Sequence, residues 1–183
     1  MELGFDIHGS LDLDKIKRVL GPSTDVLTGY TNQQPHAKKV WNEDQLKILQ
    51  RHAPAWINTR QYNMPELARK NTYGDQNTPA RPFLEEGINE QKDAIGQAVA
   101  PFFAAKVEGG DVTNPLKVIG ALCVGAVKEF ILSAYYKGVK PNSWLTIAVK
   151  SRSQKRRVLT SDQPLVDTGE MMNATTYVIM KGS

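Results

Sequence analysis

The segment that most resembles a catalytic signature is Pro164-Leu165-Val166-Asp167-Thr168-Gly169. An Asp-Thr-Gly turn behind two apolar residues is the pattern of an aspartic protease. That chemistry needs two carboxylates sharing one proton, so a short chain must dimerise to bring them together. Such an enzyme builds its flap and the strands behind the site from chain that follows the motif, and 14 residues follow Gly169. The segment is therefore read as a turn. Asp167 accepts backbone N–H groups or caps a short helix ahead of the last strand, and Gly169 takes positive φ.

A second chemical feature is the basic cluster Lys150, Arg152, Lys155, Arg156 and Arg157. Clustered cations are all that phosphate binding requires, but no aromatic residue interleaves them, so a stacking platform for single strands is missing. A solvated loop between a strand and a turn is the favoured reading. A nucleic-acid patch, or a cationic face for an acidic partner protein, are the alternatives.

The remaining reactive side chains are dispersed. His8, His36 and His52 never fall at helical ligand spacing, and Cys123 sits between Leu122 and Val124 in an apolar run, where a buried small hydrophobe is expected. After Gly120 and Gly125 comes Ala126 where a phosphate-binding loop needs Lys, and no Gly-x-Ser-x-Gly occurs. No catalytic residue, metal or cofactor is expected, and the chain is read as a non-enzyme. Trp41 and Trp144 are read as packing residues. Trp56, in the polar stretch from Pro54 to Tyr62, is the best interface anchor.

The elements that position these groups follow from periodicity. Glu2–His8 alternates as a strand, Leu11–Leu20 reads as a short helix stopped by Gly21-Pro22, Asp25–Tyr30 is a weak strand, and Thr31–Pro35 a polar loop. Asn42 caps a helix from Glu43 to about His52, and Pro65–Tyr73 forms another, with Gly74 just past its end. Leu84, Ile88, Ile95 and Val99 mark a long amphipathic helix limited or kinked by Pro101. Val107–Pro115 is an exposed turn. Lys117–Tyr136 is a second long helix and the main core element, with Gly120 and Gly125 permitting close packing. Gly138–Asn142 breaks it. Leu145–Lys150 alternates as a strand, and Thr175–Lys181 is rich in β-formers. The expected architecture is α+β: an antiparallel sheet packed against two long α-helices, with extended loops.

Pro79-Ala80-Arg81-Pro82-Phe83-Leu84, opening a long helix, resembles the phage virion-morphogenesis family, the tail-completion or neck proteins that join head and tail. In that family a short helix ending in an aromatic-Gly pair precedes the segment, and Glu66 to Tyr73-Gly74 looks like it. A hydrophobic central helix, a basic strand-loop and a Pro-Leu-(Ile/Val)-Asp-Thr-Gly turn follow, and Pro164–Gly169 matches that turn. The resemblance covers roughly residues 60 to 181, and 31–62 looks like an inserted arm in a single domain of 1–183. It implies a ring oligomer, with six copies by the symmetry of the tail. The implied partners are a tail terminator, a tail tube and a head-side connector, with genomic DNA passing through the channel. A terminator or adaptor role fits the same elements. Pro79 and Pro82 stiffen the approach to the helix, Phe83 staples its start to the core, and Arg81 is left for a carboxylate or backbone partner.

Composition sets outer bounds. The net charge of +4 permits contact with nucleic acid without requiring it. The N-terminus lacks a basic region followed by an apolar stretch, and the longest apolar run, Val118–Val127, is about half a membrane span. A product made in the host cytoplasm, destined for the virion neck and without membrane contact, is the expectation. Loops at Thr31–Trp41, Ala53–Tyr62 and Ala104–Pro115 are candidate contact arms.

Overall fold

The computed structural model describes residues 24–30, 40–57, 62–152 and 162–181. The expected strand Glu2–His8, the helix Leu11–Leu20, the loop Thr31–Pro35 and the cations Lys155, Arg156 and Arg157 lie outside the described residues. The elements run β1 (Thr24–Gly29), α1 (Glu43–His52), a 3-10 turn (Pro54–Trp56), α2 (Met64–Tyr73), α3 (Phe83–Glu90), α4 (Lys92–Val107), α5 (Thr113–Ser133), α6 (Trp144–Ser151), α7 (Glu170–Ala174) and β2 (Thr176–Lys181). The chain is thus α-rich, with seven helices and one two-stranded antiparallel sheet among the described residues.

Capping explains where α1 and α2 begin. The Gln45 amide donates to Asn42 Oδ1 at 2.9 Å and the Asn42 amide to Gln45 Oε1 at 3.1 Å. Asn63 and Glu66 repeat the arrangement at 2.9 and 3.1 Å. Each box satisfies two otherwise orphaned amides. Gly74 ends α2 at φ 74°, and a Cβ there would lie 2.7 Å from Ala80 N and Thr78 O. Only glycine fits both the backbone conformation and the space.

The expected single helix from Leu84 to Pro101 is instead two, α3 and α4, parted at Gln91 (φ −103°, ψ 14°). No glycine or proline stands at 89–92 to dictate the break. Pro101 lies inside α4 without ending it. The carbonyl it leaves unbonded, that of Gln97, is on an exposed stretch where water can serve. Ala104–Val107, expected in a loop, is the last turn of α4.

Leu145–Lys150, expected as a strand, is helix α6. Ser143 caps it, accepting from the Thr146 amide at 3.2 Å. Over eight residues the alternation also places Leu145, Ala148 and Val149 at helical spacing, and a helical neighbour decides between the two readings. Gln45 of α1 donates to the Val149 carbonyl at 3.0 Å, and Asn42 to that of Arg152 at 2.6 Å. Part of the 31–62 stretch is therefore docked on α6. Trp144, read as a packing residue, is 63 % exposed and packs only at the surface, meeting His52 edge-on at 5.1 Å.

The core gathers Met64 and Ala68 of α2, Phe83 of α3, Val127, Phe130 and Ile131 of α5, Val166, and Met171 of α7. α3 approaches α5 closely because Gly87 has no side chain: a Cβ there would sit 3.1 Å from Ala126 O and Val127 Cα. β1 and β2 pair with Leu27 opposite Val178 and Thr28 opposite Tyr177. The sheet lies on α5, where the Tyr177 ring covers Gly120. Gly120 behaves as expected, whereas Gly125 has nothing within 4 Å of its Cβ position and opens to the surface. Cys123 is buried, as expected, and burial raises its thiol pKa.

Candidate functional site

The two segments that carry the family resemblance meet at one buried polar network. Arg81 is 5 % exposed. Its backbone is tied to α2, the amide donating to Asn71 O at 2.7 Å. Its guanidinium reaches the chain break after α5, where Nε donates to Lys140 O at 2.7 Å and Nη2 to Pro141 O at 2.9 Å and Asn142 Oδ1 at 3.4 Å. Of the two partners expected for Arg81, the backbone is the one found. Burial lowers its pKa from the ordinary value, but a guanidinium stays charged in any protein.

Asn142 carries the network onward. Its Nδ2 donates to Gln163 O at 3.0 Å and Asp162 O at 3.3 Å. The Gln163 side chain donates to Leu132 O at 2.8 Å, anchoring the same strand of backbone to α5. Lys150 closes the far side: Nζ donates to Gln163 O at 2.8 Å and to Val166 O. Lys150 is 5 % exposed, so the expectation that it belongs to a solvated basic loop is corrected. It sits on the inner face of a helix and satisfies carbonyls of a loop that forms no ladder of its own. Arg152, by contrast, is exposed and folds back onto the end of α6, donating to Ala148 O at 3.0 Å.

Within Pro164–Gly169 the backbone is strained. Leu165 has φ 63°, an uncommon conformation for a branched-chain residue, and Gly169 has φ 81°. Pro164 and Val166 are buried, and Leu165 packs against the core from a half-buried position. Gly169, not Asp167, holds the N-cap position of α7, and Thr168 Oγ1 accepts from the Glu170 amide at 3.4 Å. On the other segment Phe83 is fully buried, Leu84 flanks the core and Pro82 stands at the start of α3. Pro79 is half-buried, and Tyr73 is exposed beside Gly74. Trp56 is 37 % exposed on the 3-10 turn after α1.

Two features were beyond sequence reasoning. The joints Asn142 and Gln163 carry no motif; the signal for Asn142 was its place after Pro141 in a helix break. The second feature is an open groove of about 460 Å³ between α4 and α5, lined by Ala94, Ile95, Val118, Leu122, Gly125 and Glu129 among others. Its signal was the apolar character of α4 around most of its circumference.

The arrangement can orient loops and hold a rigid surface. Among the described residues no group of three or more His, Cys, Asp or Glu could hold a metal ion. No helix among them is long and apolar enough to cross a membrane. No protein-family model, curated protein or solved structure matches the chain.

Proposed function

We propose that the chain is a structural component of the neck of a tailed bacteriophage, a tail-completion or head–tail joining protein acting as an oligomeric ring. The observation that carries this reading is the Arg81–Asn142–Gln163–Lys150 network, which fastens the two family-like segments to each other. It gives Pro79–Leu84 and the loop entering Pro164–Gly169 a shared architectural task, through Arg81 on one side and the Gln163 and Val166 carbonyls on the other. The mechanism in this reading is geometric. A stiff protomer repeats around the tail axis, completes the junction between a tail terminator or tube and a head-side connector, and leaves a channel for DNA.

Deletion of the gene from a phage genome that carries it tests the reading. The expected product is filled heads beside finished, unjoined tails in electron micrographs. Normal infectious particles from the deletion would overturn it.

A further inference from the structure

The small sheet has two faces, and α5 packs on one of them. Tyr177 lies over Gly120 of α5, and its partner across the register is Thr28. Side chains alternate along a strand, so Leu27, Val178 and Met180 point the other way. They are 54 %, 45 % and 50 % exposed, and Leu27 stands directly opposite Val178. Among the described residues this outer face is an open aliphatic patch. A two-stranded sheet is marginal in water and depends on what packs against it.

The sequence holds a matching cover at the entrance to the sheet. Residues 1–23, outside the described residues, lead directly into β1 at Thr24. Within them Leu13, Ile16 and Leu20 recur at spacings of three and four, with Asp14, Lys15 and Arg18 at the opposite angles of a helical wheel. Only Gly21, Pro22 and Ser23 separate that stripe from Thr24. Gly-Pro stops a helix, and so short a connection returns it along the strand it feeds. The lengths agree: ten helical residues run about 15 Å and six strand residues about 20 Å. With α5 on one face, the outer face is the one left to receive it.

We propose that Leu11–Leu20 of the same chain seats its Leu13, Ile16 and Leu20 stripe on Leu27, Val178 and Met180. The three-residue tether sets the encounter at an effective concentration on the order of millimolar. A second copy or another protein at ordinary concentration competes poorly with that. The sheet then carries a helix on each face, the layered arrangement that buries both sides.

Disulfide cross-linking of the full-length protein tests the contact. Val178→Cys is combined in turn with Leu13→Cys, Ile16→Cys, Leu20→Cys and, as the control at the opposite angle, Arg18→Cys. Cys123 is buried, and peptide mass mapping identifies which thiols have paired. Leu27→Cys provides the same panel on the neighbouring strand should Val178→Cys disturb the sheet. Bridging needs Cα atoms within about 7 Å, so under mild oxidation at least one stripe position is expected to bridge within one chain at least about tenfold faster than Arg18→Cys. Equally fast bridging from Arg18→Cys overturns the seating of the stripe. Bridges that join two chains overturn it in favour of a second copy. The absence of a bridge from every stripe position, on both strands, overturns it outright.

Discussion

Asn142 accepts the Arg81 guanidinium on its side-chain oxygen at 3.4 Å while its side-chain nitrogen donates to the Gln163 carbonyl at 3.0 Å. One amide thus couples two stretches of chain some 80 residues apart in sequence. Arg81→Met would leave the Lys140 and Pro141 carbonyls without their donors and is expected to destabilise the fold by about 2–4 kcal/mol. Asn142→Ala should cost about 1–3 kcal/mol. Because the residues share one network, the double variant should cost less than the sum. Urea unfolding of the four proteins measures this, and strict additivity would contradict the coupling.

Gly120 and Gly125 lie on one helix and should respond oppositely to the same change. A Cβ at Gly120 would have Tyr177 Cδ2, Cγ and Cε2 all within 2.7 Å, whereas at Gly125 it meets nothing. Gly120→Ala is expected to destabilise by about 1–3 kcal/mol through overpacking under the sheet. Gly125→Ala should stabilise by about 0.5–1 kcal/mol through helix propensity. Thermal unfolding of the two variants checks the sign.

Tyr30 predicts an alkaline limb of instability. Burial pushes its hydroxyl up to about 12 from an ordinary 10.0, against the opposing hydrogen bond with Thr175 Oγ1 at 3.1 Å. The folded state holds the neutral phenol, so this contribution is complete below pH 10 and is lost as pH rises toward about 12. Over that window the wild type should lose about 2–3 kcal/mol that Tyr30→Phe does not lose. Equal alkaline losses in both proteins would refute the assignment.

Lys150 separates a structural from a phosphate-binding role. Lys150→Met keeps the length of the side chain and removes the donors to Gln163 O and Val166 O. Stability should fall by about 1–3 kcal/mol, and proteolysis within 162–169 should accelerate. Any salt-dependent retardation of DNA should be unchanged, because a buried ammonium meets no phosphate. A loss of DNA retardation without a loss of stability would reverse the interpretation.

What was legible in the sequence was local. Asn42 caps α1 as expected and Gly74 follows Tyr73 at the end of α2, so each helix announces one of its ends, whereas α2 begins at Met64 behind Asn63, one residue before the expected Pro65. Val26 and Tyr177 lie in runs of β-formers, and both strands appear. What failed depended on neighbours. The alternation of Leu145, Ile147 and Val149 was compatible with either structure until Gln45 and Asn42 of α1 supplied a helical partner. Lys150 looked solvated because charge and loop position suggested it, and only the carbonyls of Gln163 and Val166 make burial tolerable. The break at Gln91 has no local marker at all.

The pairing of β1 with β2 has a further consequence for how the chain is made. Thr28 and Tyr177 face each other across about 150 residues of sequence. On a ribosome, β1 emerges long before its partner strand is synthesised; α5 can cover one face of β1 in the interval, but the edge that β2 pairs with stays open. Val166 and Met171, which complete the core, are equally late. Closure of the sheet therefore waits for β2 and has a large loop entropy to overcome. During that delay a chaperone, or a neighbouring nascent chain, can reach the open edge of β1.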